Sequence, residues 1–211
     1  GKSTVNETAA PDIKMKHRVM WASGDYPSVA ADVIPALGPV LVSAAGIKAG
    51  DRVLDIGAGS GNASIPAAQA GADVVASDLT PELLEAGRRQ AEGQGLALEW
   101  READAEALPF VDEEFDAAIS CVGIMFAPYH QESADELVRV LRPGGSIGLI
   151  NWTPEGFIGE MFGVMKPYAP PPPPGARPAP LWGNPEHVGS LFGDRVTEVD
   201  TKRERLTVDT F

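Results

Sequence analysis

The chain has 211 residues, 44% of them hydrophobic, with 17 basic against 30 acidic residues and a formal net charge of −13. This length fits one domain with an appended lid, the apolar content excludes a disordered chain, and the acidic balance argues against a general nucleic-acid binder, which needs a basic face to displace counterions. Cys121 is the single cysteine, so no intrachain disulfide forms, as expected in a reducing cytoplasm; no apolar run approaches the ~20 residues of a membrane helix, and no signal peptide is visible.

Residues 1–11 read as a loose arm, and the cluster Lys14, Lys16, His17 and Arg18 reads as a solvated helix face. From Asp12 to about Leu41 the spacing predicts two short helices, separated where Gly24 and Pro27 interrupt it. Residues 1–45 are thus expected to form an N-terminal helical cap, with the loop Ala45–Asp51 leading out of it. Strands and helices then alternate. We expect a strand over Arg52–Ile56, a helix over Asn62–Ala70, and a strand over Asp73–Ser77. A helix from Pro81 to about Gly93 follows, with Thr80 placed to cap it and proline at its favoured first position. Strands over Leu98–Glu102 and Phe115–Cys121, a helix over Gln131–Leu141 stopped by Arg142 to Gly145, and a strand over Ser146–Asn151 complete the series. The alternation predicts an α/β fold with a doubly wound, mostly parallel sheet and right-handed crossovers.

Beyond Trp152 the texture changes. Gly156–Tyr168 has helical spacing, the proline run after it cannot be helix or central strand, a short helix is expected around Asn184–Phe192, and a strand near Arg195–Leu206. Residues 46–211 read as one domain, with 152–193 as a lid-like segment.

The sharpest feature is VLDIGAGSGN, Val53 to Asn62. The dinucleotide fingerprint spaces its glycines G-x-G-x-x-G and places its acid ~20 residues further on. Here Gly57, Gly59 and Gly61 give G-x-G-x-G, and Asp55 precedes the turn. A pyrophosphate wants backbone N–H groups and the positive end of a helix, and a carboxylate alongside repels it. A ligand carrying an ammonium or sulfonium tolerates that acid. Asp78 ends the second strand, where a carboxylate can accept both hydroxyls of a ribose. Asp104, after the third strand, suits an exocyclic amine.

VLDIGAGSGN, SDLT, ADAEALPFVDEEFD and RVLRPGG, taken in order, resemble the successive motifs of class I S-adenosylmethionine-dependent methyltransferases, in particular the small enzymes of the ubiquinone/menaquinone-biosynthesis-like branch. The resemblance runs from about Asp51 to Asn151. It implies a Rossmann-like fold and S-adenosyl-L-methionine as cofactor, with S-adenosyl-L-homocysteine as product. Carried over by position, Asp55 and the turn Gly57, Ala58, Gly59 and Gly61 would wrap the methionine portion. Asp78 with Leu79 would take the ribose, Asp104 with Ala105 the adenine, and Cys121 would line the pocket after the fourth strand. Trp21 and Tyr26, around GDYP, would close the N-terminal side. Each acid also has a plainer reading: Asp55 bonding its own turn, Asp78 capping a helix, Asp104 belonging to a polar loop. Cys121 reads equally as a small buried hydrophobe.

The implied reaction is displacement at an activated methyl, in which a protein chiefly aligns the reactants and excludes water. His130 is the general-base candidate and Tyr129 the hydrogen-bonding candidate for the acceptor, against readings as helix-start or surface residues; His17 and His187 have weaker claims. FAPY (Phe126–Tyr129) departs from the Pro-Pro-Tyr motif of amine-methylating enzymes, and that reading is rejected. Trp152, Phe157, Met161, Phe162, Met165, Tyr168 and Trp182 suggest a small, apolar or aromatic acceptor, although such a set also suits core packing. No metal is expected. The family sheet has seven strands, and the last helix and strand have no counterpart here; a shortened chain is the simpler account, and a bare edge that invites a homodimer is the alternative. Two rivals stand beside this reading: a methyltransferase-like module that binds without turnover, and a nicotinamide-dependent oxidoreductase.

Overall fold

The structure, a computed structural model, describes residues 34–155 and 172–202. Along the chain run α1 (Leu37–Ala44), β1 (Arg52–Ile56), α2 (Ser64–Gln69), β2 (Asp73–Asp78), α3 (Pro81–Gly93), β3 (Glu99–Glu102), β4 (Phe115–Cys121), α4 (His130–Val140), β5 (Leu141–Ile150) and α5 (Pro185–Phe192). The strands form one five-stranded sheet in the order β3-β2-β1-β4-β5, and every pairing is parallel. From β1 the chain winds outward through β2 and β3, then returns to lay β4 against the other side of β1. This reversal leaves a crevice beyond the carboxyl ends of β1 and β4, the place where open parallel sheets bind ligands.

Burial explains the central strands. Val53, Leu54, Ile56, Val74, Val75, Phe115, Ala118 and Ile119 are each 1% exposed or less, so β1, β2 and β4 are covered on both faces and read as nearly unbroken apolar runs. Helix α3 buries Leu84, Gly87 and Ala91, one stripe at helical spacing. Helix α1 packs Leu41 and Val42 with Val53, Ala117 and Ile119 of the sheet.

Several expectations are corrected. Thr80 occupies the N-cap position of α3, but its hydroxyl makes no bond to the helix; the Asp78 carboxylate accepts the Thr80 N–H at 2.8 Å instead. Strand β5 begins at Leu141, five residues early, because a register shift opposite Phe115 to Ala117 absorbs the Pro-Gly-Gly turn into the edge strand. The strand expected near Arg195–Leu206 is absent over 196–202, after a single 3-10 turn at Gly193–Arg195. Val199 there is 72% exposed, so the apolar alternation has no face to cover. The helix expected over Gly156–Tyr168 lies outside the described residues. No helix among them is long and apolar enough to cross a membrane.

The connection between β3 and β4 carries the ADAEALPF motif and is held by one side chain. Arg139 of α4 donates to the carbonyls of Leu108 at 3.0 Å and Phe110 at 2.8 Å, to Asp112 at 2.9 Å, and to Glu136. Glu136 in turn accepts the Leu108 N–H at 2.8 Å. These two carboxylates hold the guanidinium pKa above its ordinary value. The clamp lets Leu108 and Phe110 bury, the latter edge-on to Phe115 with ring centroids 5.2 Å apart. Arg139→Ala is expected to lose about 2 kcal/mol of stability in urea unfolding, the scale of hydrogen bonds to a charged group. Arg139→Lys should recover little of it, because an ammonium cannot span the fork.

Candidate active site

The turn after β1 is a set of backbone constraints. Gly57, Gly59 and Gly61 have φ of +63°, +55° and +90°, a region that glycine enters without the steric cost a Cβ imposes. Each has its own further reason. A Cβ on Gly57 would lie 2.8 Å from the Cα of Gly123, in the loop after β4. One on Gly61 would lie 2.8 Å from the ring of Trp100, which also fills the space beside Gly87. Gly59 has nothing within 4 Å of that position, and its N–H donates to Asp78 at 2.8 Å. Its open side is a backbone surface that a ligand can lie against.

Two acids meet this turn from adjacent strands. Asp55 is 1% exposed; one oxygen accepts the Ser64 hydroxyl at 2.6 Å and the other is buried with no partner among the described residues. Burial, reinforced by the neighbouring Asp78, pushes its pKa up to about 7. Burial raises the Asp78 carboxyl too, against the bonds it accepts from Gly59 and Thr80. Each Asp78 oxygen has one backbone N–H on it, and a carboxylate oxygen has a second lone pair to offer.

A cleft opens beside the turn. Its walls are Ile56, Gly57, Asp78, Leu79 and Leu83 on one side and Asp104, Ala105 and Glu106 on a second. Val122, Gly123, Ile124, Phe126, Ala127 and Pro128 form the third. Of the sequence-derived residues, the structure brings Gly57, Asp78, Leu79, Asp104 and Ala105 together around one space. Asp104 also accepts the Glu106 N–H at 2.9 Å, which fixes the loop it stands on.

Other residues fall elsewhere. Asp55 lies beneath the turn, off the cleft wall, where its carboxylate accepts the hydroxyl of Ser64 at the start of α2. Cys121 does not line the cleft: it packs between the two core clusters, and burial with Asp55 nearby pushes its thiol up to about 12. Val122 and Gly123 take the place expected of it. Tyr129 sits at the N-cap of α4, its N–H bonded to Glu106 at 2.9 Å. His130 is 1% exposed and turned away from the cleft, toward His187. Trp21 and Tyr26 lie outside the described residues. Among the described residues no cluster of histidine, cysteine and acids could hold a metal ion.

Sequence reasoning missed the loop after β4. Val122 has φ +52°, an outlier for a β-branched residue. It is held by its N–H bond to Ile150 at 2.8 Å, while Ser120 joins the Ile56 carbonyl to the Ile124 N–H. Only the glycine at 123, in the otherwise bulky run VGIMF, signalled a close approach.

An open parallel sheet, a glycine turn at its switch point and acids at successive strand ends define a nucleoside-binding α/β enzyme. The methyltransferase-domain family model matches residues 54–149. The chain is 56% identical over 195 residues to an uncharacterized protein of Mycobacterium tuberculosis, covering 92% of this chain and 71% of that one. It is 44% identical over 99 residues to the demethylmenaquinone methyltransferase of Clavibacter sepedonicus, covering 47% and 40%. The fold matches the crystal structure of an S-adenosylmethionine-dependent methyltransferase from Aquifex aeolicus at a TM-score of 0.60 and 21% identity, covering 87% of this chain and 90% of that one. The chain belongs to the class I S-adenosylmethionine-dependent methyltransferases. S-adenosylmethionine is its cofactor, which sets aside the nicotinamide reading, and its domain is that of an S-adenosylmethionine-dependent methyltransferase.

The raised pKa of Asp55 has a consequence for stability. A carboxyl whose folded pKa lies above its unfolded value of 3.8 favours the folded state only while protonated. Stability is therefore expected to fall as the pH rises from about 4 to about 7, measured by urea midpoints without cofactor. Asp55→Asn should flatten that dependence, and an unchanged slope would show that the carboxyl is ionised throughout.

Proposed function

We propose that the cleft holds the adenosine end of the cofactor and that the enzyme methylates a small, apolar or aromatic acceptor at its Phe126–Tyr129 side. The observation that carries this is the division of the walls: Asp78, Asp104 and Glu106 supply the acids, whereas Ile124, Phe126, Ala127 and Pro128 present an apolar face. Asp78 accepts the ribose hydroxyls through its remaining lone pairs, and Asp104 with Ala105 faces the adenine. The open backbone at Gly59, with Ala58 and Gly61, receives the methionine portion. When bound, the cofactor supplies an electrophilic methyl on a sulfonium. The chain's own contribution is alignment of the acceptor and exclusion of water. His130 is too deeply buried to take a proton from an acceptor, which favours an acceptor that is itself a nucleophile; Tyr129 stands at the rim to orient it. Residues 152–193 act as a lid and the N-terminal segment, 1–45, as a cap.

The test is calorimetry with S-adenosylhomocysteine. The wild-type chain should bind, and Asp78→Ala should weaken binding at least ~10-fold, a loss of about 1.4 kcal/mol. Gly59→Ala should do the same while costing only about 1–2 kcal/mol of stability, the strain of a Cβ at positive φ. Unchanged affinity in Gly59→Ala would remove the turn from the site. Transfer of labelled methyl should favour apolar aromatic amines or thiols over polar amines of equal size, and the reverse preference would sink the acceptor assignment.

A further inference from the structure

The imidazole of His130 faces the segment that follows the proline run. Its Nδ1 lies 2.9 Å from Nε2 of His187 on α5, and the two rings meet edge-on with centroids 5.1 Å apart. Trp182, 2% exposed, packs on His130 with ring centroids 5.4 Å apart. Two imidazole nitrogens at this distance bond only if one carries hydrogen and the other a lone pair. A proton on the accepting nitrogen sets two donors face to face.

The same segment reaches the cleft. The Arg177 N–H donates to the Pro128 carbonyl at 2.8 Å, Gly175 stands against the ring of Tyr129, and Pro128 is part of the cleft wall. We propose that His130 and His187 are positioning residues, a neutral imidazole pair that latches residues 175–187 onto α4, holds the acceptor side of the cleft in place, and lets go when acid charges it. The latch takes its functional meaning from the acceptor reading above, yet it can be examined without any acceptor.

The surrounding charges favour the neutral pair. Arg177, ahead of α5, acts on both rings and opposes a second positive charge. On α5, Glu186 lies in the exposed first turn, where Asn184 accepts its N–H. On α4, Glu132 is in the first turn, and Asp135 pairs with Arg195 at 2.9 Å across the same interface. Asp135 has its pKa lowered by its bonds to Gln131 and Arg195 and stays ionised. Gln131 donates to the Leu191 carbonyl at 3.0 Å. Burial, with His187 and Arg177 adding, pushes His130 from 6.5 down to about 4, and burial lowers His187 as well. A depressed histidine pKa means that protons favour the opened state. The latch therefore has full strength above about pH 6.5 and weakens roughly tenfold per unit as the pH falls toward about 4.

Amide hydrogen exchange on the whole chain at pH 7.5 and pH 5, corrected for intrinsic rates, reads the latch directly. Protection at Arg177, Leu181 and Val188 should fall at least ~10-fold at pH 5, while amides of β1 and β4 should hold or gain, because protonated Asp55 favours the folded core there. His187→Gln places an amide that cannot titrate near Nδ1 of His130. In that variant only His130 is left to titrate, so the acid-dependent loss of protection should shrink clearly below that of the wild type, whether the bond is kept or lost. Equal protection at both pH values in the wild type, or an acid-dependent loss in His187→Gln matching the wild type, overturns the latch. Failure to bind S-adenosylhomocysteine would instead count against the cofactor cleft and leave the latch standing.

Discussion

The site depends on one backbone contact, that between Gly57 and Gly123. The sheet reverses its winding between β1 and β4, so the loops leaving these two neighbours must part, and the parting makes the crevice. Here they stay close at their roots: a Cβ on either glycine would run into the other's backbone. The contact fixes how far the crevice extends downward, so that the turn after β1 and the loop after β4 share one floor. Ser120 reinforces it by joining the Ile56 carbonyl to the Ile124 N–H. Val122 accepts an unfavourable φ of +52° so that the chain can turn at that point. Strain of this kind persists only where its surroundings over-determine it.

Above that floor the chemistry is set by two carboxyls with different solvation. Asp55 is sealed beneath the turn with a hydroxyl on one oxygen, and Asp78 lies at the cleft with a backbone N–H on each of its oxygens. The acid before the turn was read from the sequence as a charge that repels pyrophosphate. With its pKa near 7, that repulsion is partial. The glycine spacing carries more of the discrimination against a dinucleotide than Asp55 does. Farther out, Arg139 holds the loop that bears Asp104 and Glu106, so the second wall of the cleft is built from α4 as much as from β3.

The fold was legible where local chemistry and packing agree. Strands β1 and β4 and helix α3 have the bounds expected of them, because apolar runs between turn residues and a proline at a helix start leave little choice. Helix α4 was shifted by one residue, since His130 begins it. The sequence could not show that an absorbed register shift starts β5 at Leu141, nor that Val199 finds no neighbour. In the site, the acids at the ends of β2 and β3 were readable because a parallel sheet places every strand end at the same rim. Cys121 was expected to line the pocket, and Val122 and Gly123, just past the end of β4, line it instead, because one step along the chain at a strand end changes the face a side chain meets. His130 looked available from its position at a helix start, but whether a helix start is open or covered depends on a segment more than forty residues away.

Trp100 lies against Gly61 at the cofactor turn, and Trp182 lies against His130 under the strap. The molecule thus carries an indole at each of two mechanical junctions that share no side chain. Their environments differ, the first half-buried at a sheet edge and the second sealed in the core. Once Trp21 and Trp152 are replaced, movement at either junction has its own chromophore, which makes events at the glycine turn and release of residues 175–187 optically separable.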